Sequence, residues 1–381
     1  MLINMTKVFI ILLFLSVTKA TLWGIEQVSH DDPDSLHMLP FTKFQVYWNV
    51  PTFMCHQYGI FFNQVFDNFE IIQNSNDTFL GNNIAILYDP GFFPALLKNS
   101  NGTIYIRNGG VPQEGNLHKH LEMFKAHVQE QVDYNFSGLG IIDFESWRPI
   151  FRQNWGSLAH YRDYSYKIEE KRHPFMNEKI IKRLATKRFE DFAKIFMEET
   201  INLAKYLRPN AYWSYYGYPQ CFNLTPKQPN TQCDNQLRKE NDEISWLWER
   251  ENALLPSIYF PRDLDVKTKV GLINGRLNEA WRIAKKFKPQ PKILPYFWYK
   301  YRDSQDTFLS YNDLIHGFQE ILNQKVNGFV IWGSSNDVNT QQKCFELRNY
   351  LNNILGPLVK QMIDIANQRN INTANSITLE R

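Results

Sequence analysis

Two carboxylic acids stand two residues apart in the run Gly138-Leu139-Gly140-Ile141-Ile142-Asp143-Phe144-Glu145-Ser146-Trp147-Arg148-Pro149. In a strand, alternate residues point to the same face, about 7 Å apart along the chain. Asp143 and Glu145 therefore share one side of a strand end, with Phe144 on the other. Such a pair suits proton transfer, because an ionised carboxylate holds the proton on its neighbour to a higher pH. Two acids at the end of a buried strand are costly unless a partner or a reaction requires them. The plainer alternative is a pair that caps the next helix or binds Arg148.

The element that carries the pair reads as a strand. Leu139 to Ile142 is apolar throughout, the pattern of a strand buried on both faces of a parallel sheet. Arg148-Pro149 then opens a loop. Further short strands are predicted at 44–51, 84–88, 211–216, 257–261, 293–299 and 328–333, with a loop or hairpin at 104–112. Helical spacing covers 117–132, 179–207, 266–287, 309–323 and 341–366. Short strands alternating with helices predict an α/β fold, a TIM-like (β/α) barrel in a distorted form with seven or eight strands. In such barrels the C-terminal strand ends carry the catalytic groups. Residues 21–369 read as one domain that begins with a polar surface arm over 21–43, and 370–381 as a polar tail.

The chain of 381 residues is long enough for a large core. Residues 1–20 have the form of a secretory signal: Lys7, the apolar run Val8 to Val17, and small residues at Thr18-Lys19-Ala20. That run is too short to span a bilayer, and no later stretch is longer. A secreted protein with no membrane partner is the reading. The formal charge is +3, two units of it from Lys7 and Lys19, which is too little to argue for nucleic acid. Secretion makes the four cysteines a disulfide set. Three connectivities are possible. Cys221 and Cys233 flank a Pro/Asn/Thr/Gln-rich loop and suit a local bridge, which leaves Cys55 with Cys344. Glycosylation sequons stand at Asn76, Asn101, Asn135 and Asn223. No C-x-x-C or histidine cluster points to a metal, and no cofactor is expected.

Together the strand ends offer Asn49, Tyr88, Asp89, Asp143, Glu145, Tyr215, Tyr216, Tyr259, Tyr296, Trp332 and Ser334. Flat rings stack on sugars, and hydroxyls and acids bind sugar oxygens. Glycosidic bonds are commonly broken by two carboxyls. No nucleophile elbow or phosphate-binding glycine loop competes with that reading.

At these residues the chain resembles a known family. Asp143-Phe144-Glu145-Ser146-Trp147-Arg148-Pro149-Ile150-Phe151-Arg152-Gln153-Asn154-Trp155 is similar to the active-site stretch of insect, Hymenoptera-type venom hyaluronidases, glycoside hydrolase family 56. Phe44 to Pro51, Tyr88-Asp89-Pro90-Gly91, Tyr215-Tyr216-Gly217-Tyr218-Pro219 and Trp332-Gly333-Ser334-Ser335 match as well, and the resemblance spans nearly the whole mature chain. The four cysteines match the insect two-disulfide layout, while Ser146 stands where relatives often carry a charge. The resemblance implies an endo-β-N-acetylhexosaminidase acting on hyaluronan, with chondroitin as a further substrate to test. It implies substrate-assisted catalysis, in which the acetamido oxygen of the sugar attacks the anomeric carbon. Glu145 is then the acid and base, Asp143 orients the acetamido group, and Tyr216 bonds the same group. It places Tyr88, Asp89, Tyr259, Arg276, Trp332 and Ser334 in the substrate groove, with Arg276 facing a glucuronate carboxylate. The oligomeric state stays open.

Plainer readings stand beside these. Tyr216 and Tyr259 suit a core or rim, and Trp332 suits a plug among the strands. Arg148 and Arg152 suit ion pairs that hold the acid loop, and His56, His118, His120 and His127 suit the surface or local hydrogen bonds. A chitin-type hydrolase shares the D-x-E pair, but the longer D-x-x-D-x-D-x-E run is missing. A catalytically silent sugar-binding or decoy protein would dispense with the acids, and both are present.

Overall fold

A computed structural model of the chain describes residues 43–99, 101–225 and 228–379. The expected signal at 1–20 and nearly all of the arm lie outside the described residues. The acid-bearing strand is Leu139–Asp143, and it lies between two parallel neighbours, Ile84–Tyr88 and Tyr212–Tyr215. The register sets Tyr88 opposite Asp143 and Tyr215 opposite Ile142. A second parallel set runs Gln45–Asn49, Gly328–Trp332, Tyr296–Trp298, with Asn49 opposite Trp332 and Trp332 opposite Trp298. Ala253–Leu254 pairs in parallel with Lys292–Ile293. Single parallel bridges add Tyr47–Ile72, Tyr216–Leu255 and Ser257–Tyr296. In each set the strands end level, so their C-terminal residues are presented together.

Both faces of these strands are buried, as their unbroken apolar runs require. Ile84, Ile86, Leu139, Ile141, Leu255, Leu294, Tyr296 and Val330 form one cluster between the strands. The alternate residues Ala85, Leu87, Ile142, Trp213 and Ile331 belong to the larger cluster that includes the helices. Gly140 is required by this packing: a Cβ there would lie 2.6 Å from the Trp213 ring. The main helices begin at side-chain caps, Asn116 for Leu117–Gln131, Asn177 for Glu178–Leu207, Asp265 for Val266–Ala284 and Ser310 for Tyr311–Asn323. The disulfides are Cys55–Cys344 and Cys221–Cys233, as expected. Among the described residues no helix is long and apolar enough to cross a membrane.

Several boundaries differ from the sequence reading. The strand expected at 257–261 lies earlier, at Ala253–Leu254, and the one expected at 293–299 is cut into Lys292–Ile293 and Tyr296–Trp298. Pro256 and Pro295 cause both breaks, since neither has an N–H for the ladder. Helix Ala159–Arg172 was missed, because its sequence is polar and carries no apolar stripe. Two antiparallel hairpins are added, Ala95–Lys98 with Ile104–Arg107 and Lys300–Tyr301 with Ser304–Phe308. The last helix, Gly356–Leu379, continues through most of the segment expected to be a tail.

Candidate active site

At the C-terminal strand ends, Ile86, Asp143, Glu145, Tyr216, Tyr259, Tyr296, Trp298, Gln305, Trp332 and Ser334 line a cavity of about 310 Å³. A larger hollow of about 1210 Å³ involves Asn82 and Asn210, at the opposite ends of the strands. Its acids, Glu130 and Asp133, are exposed surface groups. The chemistry therefore belongs to the smaller cavity.

Asp143 is the last residue of its strand and is mostly buried, whereas Glu145 lies two residues further on and is exposed at the cavity mouth. Neither carboxyl makes a side-chain hydrogen bond among the described residues, so both are left for a ligand. Burial pushes Asp143 up to about 8, helped by the nearby charges of Glu145 and Asp89. Burial also raises Glu145, and Arg148 partly offsets the rise. A group can be open to solvent on one side and still be ringed by enough protein to lose hydration, which is the position of Glu145. The sequence reading had an ionised Asp143 keeping the proton on Glu145. Burial instead leads at both groups, and Asp143 itself resists ionisation below about 8.

The acid loop is held from behind. Trp147 is buried and donates from Nε1 to the Pro94 carbonyl at 2.8 Å. Phe144 stacks on Phe93, with ring centroids 4.0 Å apart. Arg148 donates to the Gln153 carbonyl at 2.7 Å and lies 4.8 Å from the centre of the Phe222 ring. Arg152 pairs with Glu240 and not with either acid. Both arginines brace the loop, Arg148 through a backbone carbonyl and aromatic faces where an ion pair was expected.

An aromatic wall surrounds the acids. The Tyr216 hydroxyl donates to the Tyr259 hydroxyl at 3.1 Å, and the Tyr216 ring meets Tyr296 edge-on at 4.8 Å. Burial, with Glu145 and Asp143 nearby, keeps the Tyr216 phenol protonated. Tyr259 stacks on Trp332 at 5.7 Å. Trp332 Nε1 donates to the Tyr88 hydroxyl at 3.0 Å. Tyr88 is thus linked to the wall, although neither it nor Asp89 lines the cavity itself. Asp89 is engaged by Arg107 through two bonds of 2.5 and 2.8 Å.

Sequence reasoning missed Trp298, Gln305 and the anchor of Trp298, Asp337. Trp298 shares a strand face with Tyr296, a signal that the period of two provided. Buried Asp337 accepts from Trp298 Nε1 at 2.9 Å, the Tyr299 hydroxyl at 3.0 Å and the Ser334 amide at 3.0 Å, and Lys300 balances its charge at 3.1 Å. Ser334 and Asp337 form a capping box, which was readable in the sequence. Gln305 gave no signal.

Two of the expected site residues are engaged elsewhere. Arg276 does not line the cavity: its guanidinium donates to Asn223 Oδ1 at 2.9 Å and to the Ser257 carbonyl at 2.5 Å. It braces the segment that leads to Tyr259. Asn223 is fully buried, and its Nδ2 donates to the carbonyls of Thr231 at 2.6 Å and Leu272 at 3.1 Å, which argues against a glycan there. The other three sequon residues, Asn76, Asn101 and Asn135, are exposed.

Known proteins are similar to this chain in sequence and in fold. The family description for glycosyl hydrolase family 56, hyaluronidase, matches residues 33–372. A hyaluronidase of Apis mellifera is 50% identical over 354 residues, covering 92% of this chain and 91% of its own. A protein of Vespula vulgaris named inactive hyaluronidase B is 43% identical over 320 residues, covering 84% of this chain and 94% of its own. The crystal structure of bee venom hyaluronidase in complex with a hyaluronic acid tetramer superposes with a TM-score of 0.83 at 52% identity, covering 84% of this chain and 99% of that one. With an acid pair at the strand ends, an aromatic-walled cavity and likeness along most of its length, this chain belongs to the hyaluronidase family of glycoside hydrolases, enzymes that hydrolyse hyaluronan.

Proposed function

We propose that the chain cleaves the β-1,4 bond between N-acetylglucosamine and glucuronate in hyaluronan, with retention, and that the acetamido group of the substrate acts as nucleophile. The observation that carries this reading is a pair of carboxyls, Asp143 and Glu145, that make no side-chain hydrogen bond among the described residues and open into an aromatic cavity. The hyaluronic acid tetramer on the bee venom relative supports the choice of polysaccharide.

Glu145, at the mouth, protonates the glycosidic oxygen and then deprotonates water. Asp143, deeper, accepts from the acetamido N–H and faces the positive charge that develops on that group. The pair gives up its last proton near pH 8, so it holds at least one proton in mildly acidic solution. An amide donor at Asp143 favours the state with the proton on Glu145, which is the reactive one. Tyr216, kept protonated by its surroundings, turns its one hydroxyl proton from Tyr259 to the acetamido oxygen and holds it for attack. Tyr259, Trp332 and Ser334 bind sugar rings and hydroxyls, and Tyr88 and Asp89 extend the groove. Metal or cofactor plays no part in this scheme.

The parallel sets and bridges fit a distorted TIM-like barrel within a single domain over 21–369. Two disulfides and the character of residues 1–20 support a secreted protein. Exposure supports glycans at Asn76, Asn101 and Asn135.

The test is Glu145→Gln, assayed by fragment sizing on hyaluronan, chondroitin and chitin oligosaccharides. Turnover on hyaluronan should fall by about 10³-fold while folding and sugar binding persist. Equal cleavage by wild type and variant would remove Glu145 from the mechanism. Binding without cleavage by the wild type would favour a silent binder, and preference for chitin would redirect the substrate.

A further inference from the structure

Helix Leu117–Gln131 carries two histidines seven residues apart, His120 and His127, which therefore lie on one face. Both accept hydrogen bonds from consecutive backbone amides of the turn after strand Ile84–Tyr88. The Gly91 N–H donates to His127 Nδ1 at 2.9 Å, and the Phe92 N–H donates to His120 Nδ1 at 2.9 Å. The tautomer of His120 is fixed by its other partner. The Thr200 hydroxyl spends its proton on the Phe196 carbonyl at 2.6 Å, so its oxygen, 2.8 Å from His120 Nε2, accepts there. The proton of His120 is thus on Nε2, and Nδ1 is bare. Burial disfavours the charged form and pulls His120 down to about 3, which keeps Nδ1 an acceptor.

What these acceptors hold is an unusual turn. Asp89 has φ +44° and Gly91 φ +78°, both left-handed. A Cβ at Gly91 would lie 2.8 Å from the His120 ring, so the imidazole and the glycine fit only each other. A left-handed aspartate persists when its surroundings over-determine it. On the far side the same turn touches the site. The Asp89 N–H donates to the Asp143 carbonyl at 2.7 Å. The Asp89 carboxylate, clamped by Arg107, is one of the charges acting on Asp143. Tyr88, just before the turn, accepts from Trp332.

We propose that His120 and His127 are positioning residues for the glycosidase reaction, two neutral imidazole acceptors that fix the Asp89–Phe92 turn and through it the placement of Asp143. The inference rests on the role proposed for Asp143. It differs from a purely structural role, because the turn they hold is bonded directly to the strand end that bears that acid.

The test is steady-state kinetics of the full chain on hyaluronan. His127 is the residue to vary, since it is only half-buried while His120 is fully buried. H127L removes the acceptor, and H127N keeps an acceptor close to the place of Nδ1. H127L should lower kcat about tenfold with KM changed less than about threefold, and H127N should recover most of the loss. H127F replaces H127L if the leucine variant does not fold, with the same expected outcome. Wild-type kcat in the acceptor-less variant, a change confined to KM, or equal losses in H127N and the acceptor-less variant would each overturn the inference. E145Q run in parallel separates the two readings: if it is inactive while H127L has wild-type kcat, only the histidine assignment fails.

Discussion

Removing the charge of Asp143 should stabilise the protein while it disables the site, and the size of the effect depends on pH. Burial, then Glu145 and Asp89, raise this carboxyl from 3.8 to about 8. In the unfolded chain the proton leaves near 3.8, whereas the folded chain keeps it until about 8. Between those values the folded state binds more protons, so its stability falls as pH rises through the window and levels off above it. A rise from 3.8 to about 8 corresponds to an upper limit of about 6 kcal/mol. Asp143 borders an open cavity and shares its environment with Glu145, so a high effective dielectric reduces this to about 2–3 kcal/mol. Asp143→Asn keeps the shape and abolishes the titration. Urea unfolding at pH 4 and pH 8, with disulfides intact, measures the effect. The variant should gain about 2–3 kcal/mol on the wild type between the two pH values, and Glu145, present in both, largely cancels. A difference that stays within about 0.5 kcal/mol across the window, or that moves in favour of the wild type, would show that Asp143 titrates as an ordinary carboxylate.

Tyr216→Phe should lower kcat by about a hundredfold with the fold kept, since it removes one donor to a developing charge; a change in KM alone would exclude that role. Replacing Cys55 and Cys344 by serine opens a loop of sequence separation 289 and should cost up to about 5 kcal/mol in urea unfolding, whereas an unchanged midpoint would refute the entropy argument. Peptide mapping of the protein secreted from insect cells should find Asn223 unmodified and glycans at Asn76, Asn101 and Asn135. A glycan on Asn223 would contradict the buried amide.

The acid pair was legible because a period of two, an apolar run and a following proline leave little choice of local structure. The disulfides were legible because four cysteines allow few pairings and one pair brackets a short loop. What escaped depends on tertiary placement. Arg276 lies on a helix, and nothing in its neighbours along the chain says whether the guanidinium reaches the cavity or the Ser257 carbonyl. Asn223 satisfies a local sequon, while its burial comes from residues eight and forty-nine positions away, Thr231 and Leu272. Gln305 reaches the cavity from a hairpin whose charged, irregular sequence shows no strand alternation. His120 and His127 read as surface or locally bonded residues, because the amides they accept from lie on another element, which no local pattern can announce.

The division of labour between the two acids follows from depth more than from residue type. A parallel strand ends at Asp143 with neighbours in register on both sides, so that carboxyl is enclosed and keeps its proton to a higher pH. Two residues on, the sheet has ended, and Glu145 has solvent on one side and Arg148 on the other. A group that must give a proton to an oxygen and then take one from water needs contact with both, which the mouth provides. A group that must answer a charge forming inside the substrate needs to be fixed close to that charge, which the floor provides. Exchanging the residue types, with Glu at 143 and Asp at 145, keeps both charges but shifts each carboxyl by one bond along these two environments. Two carboxylates with interchangeable duties would tolerate the exchange, whereas a site ordered by depth would not.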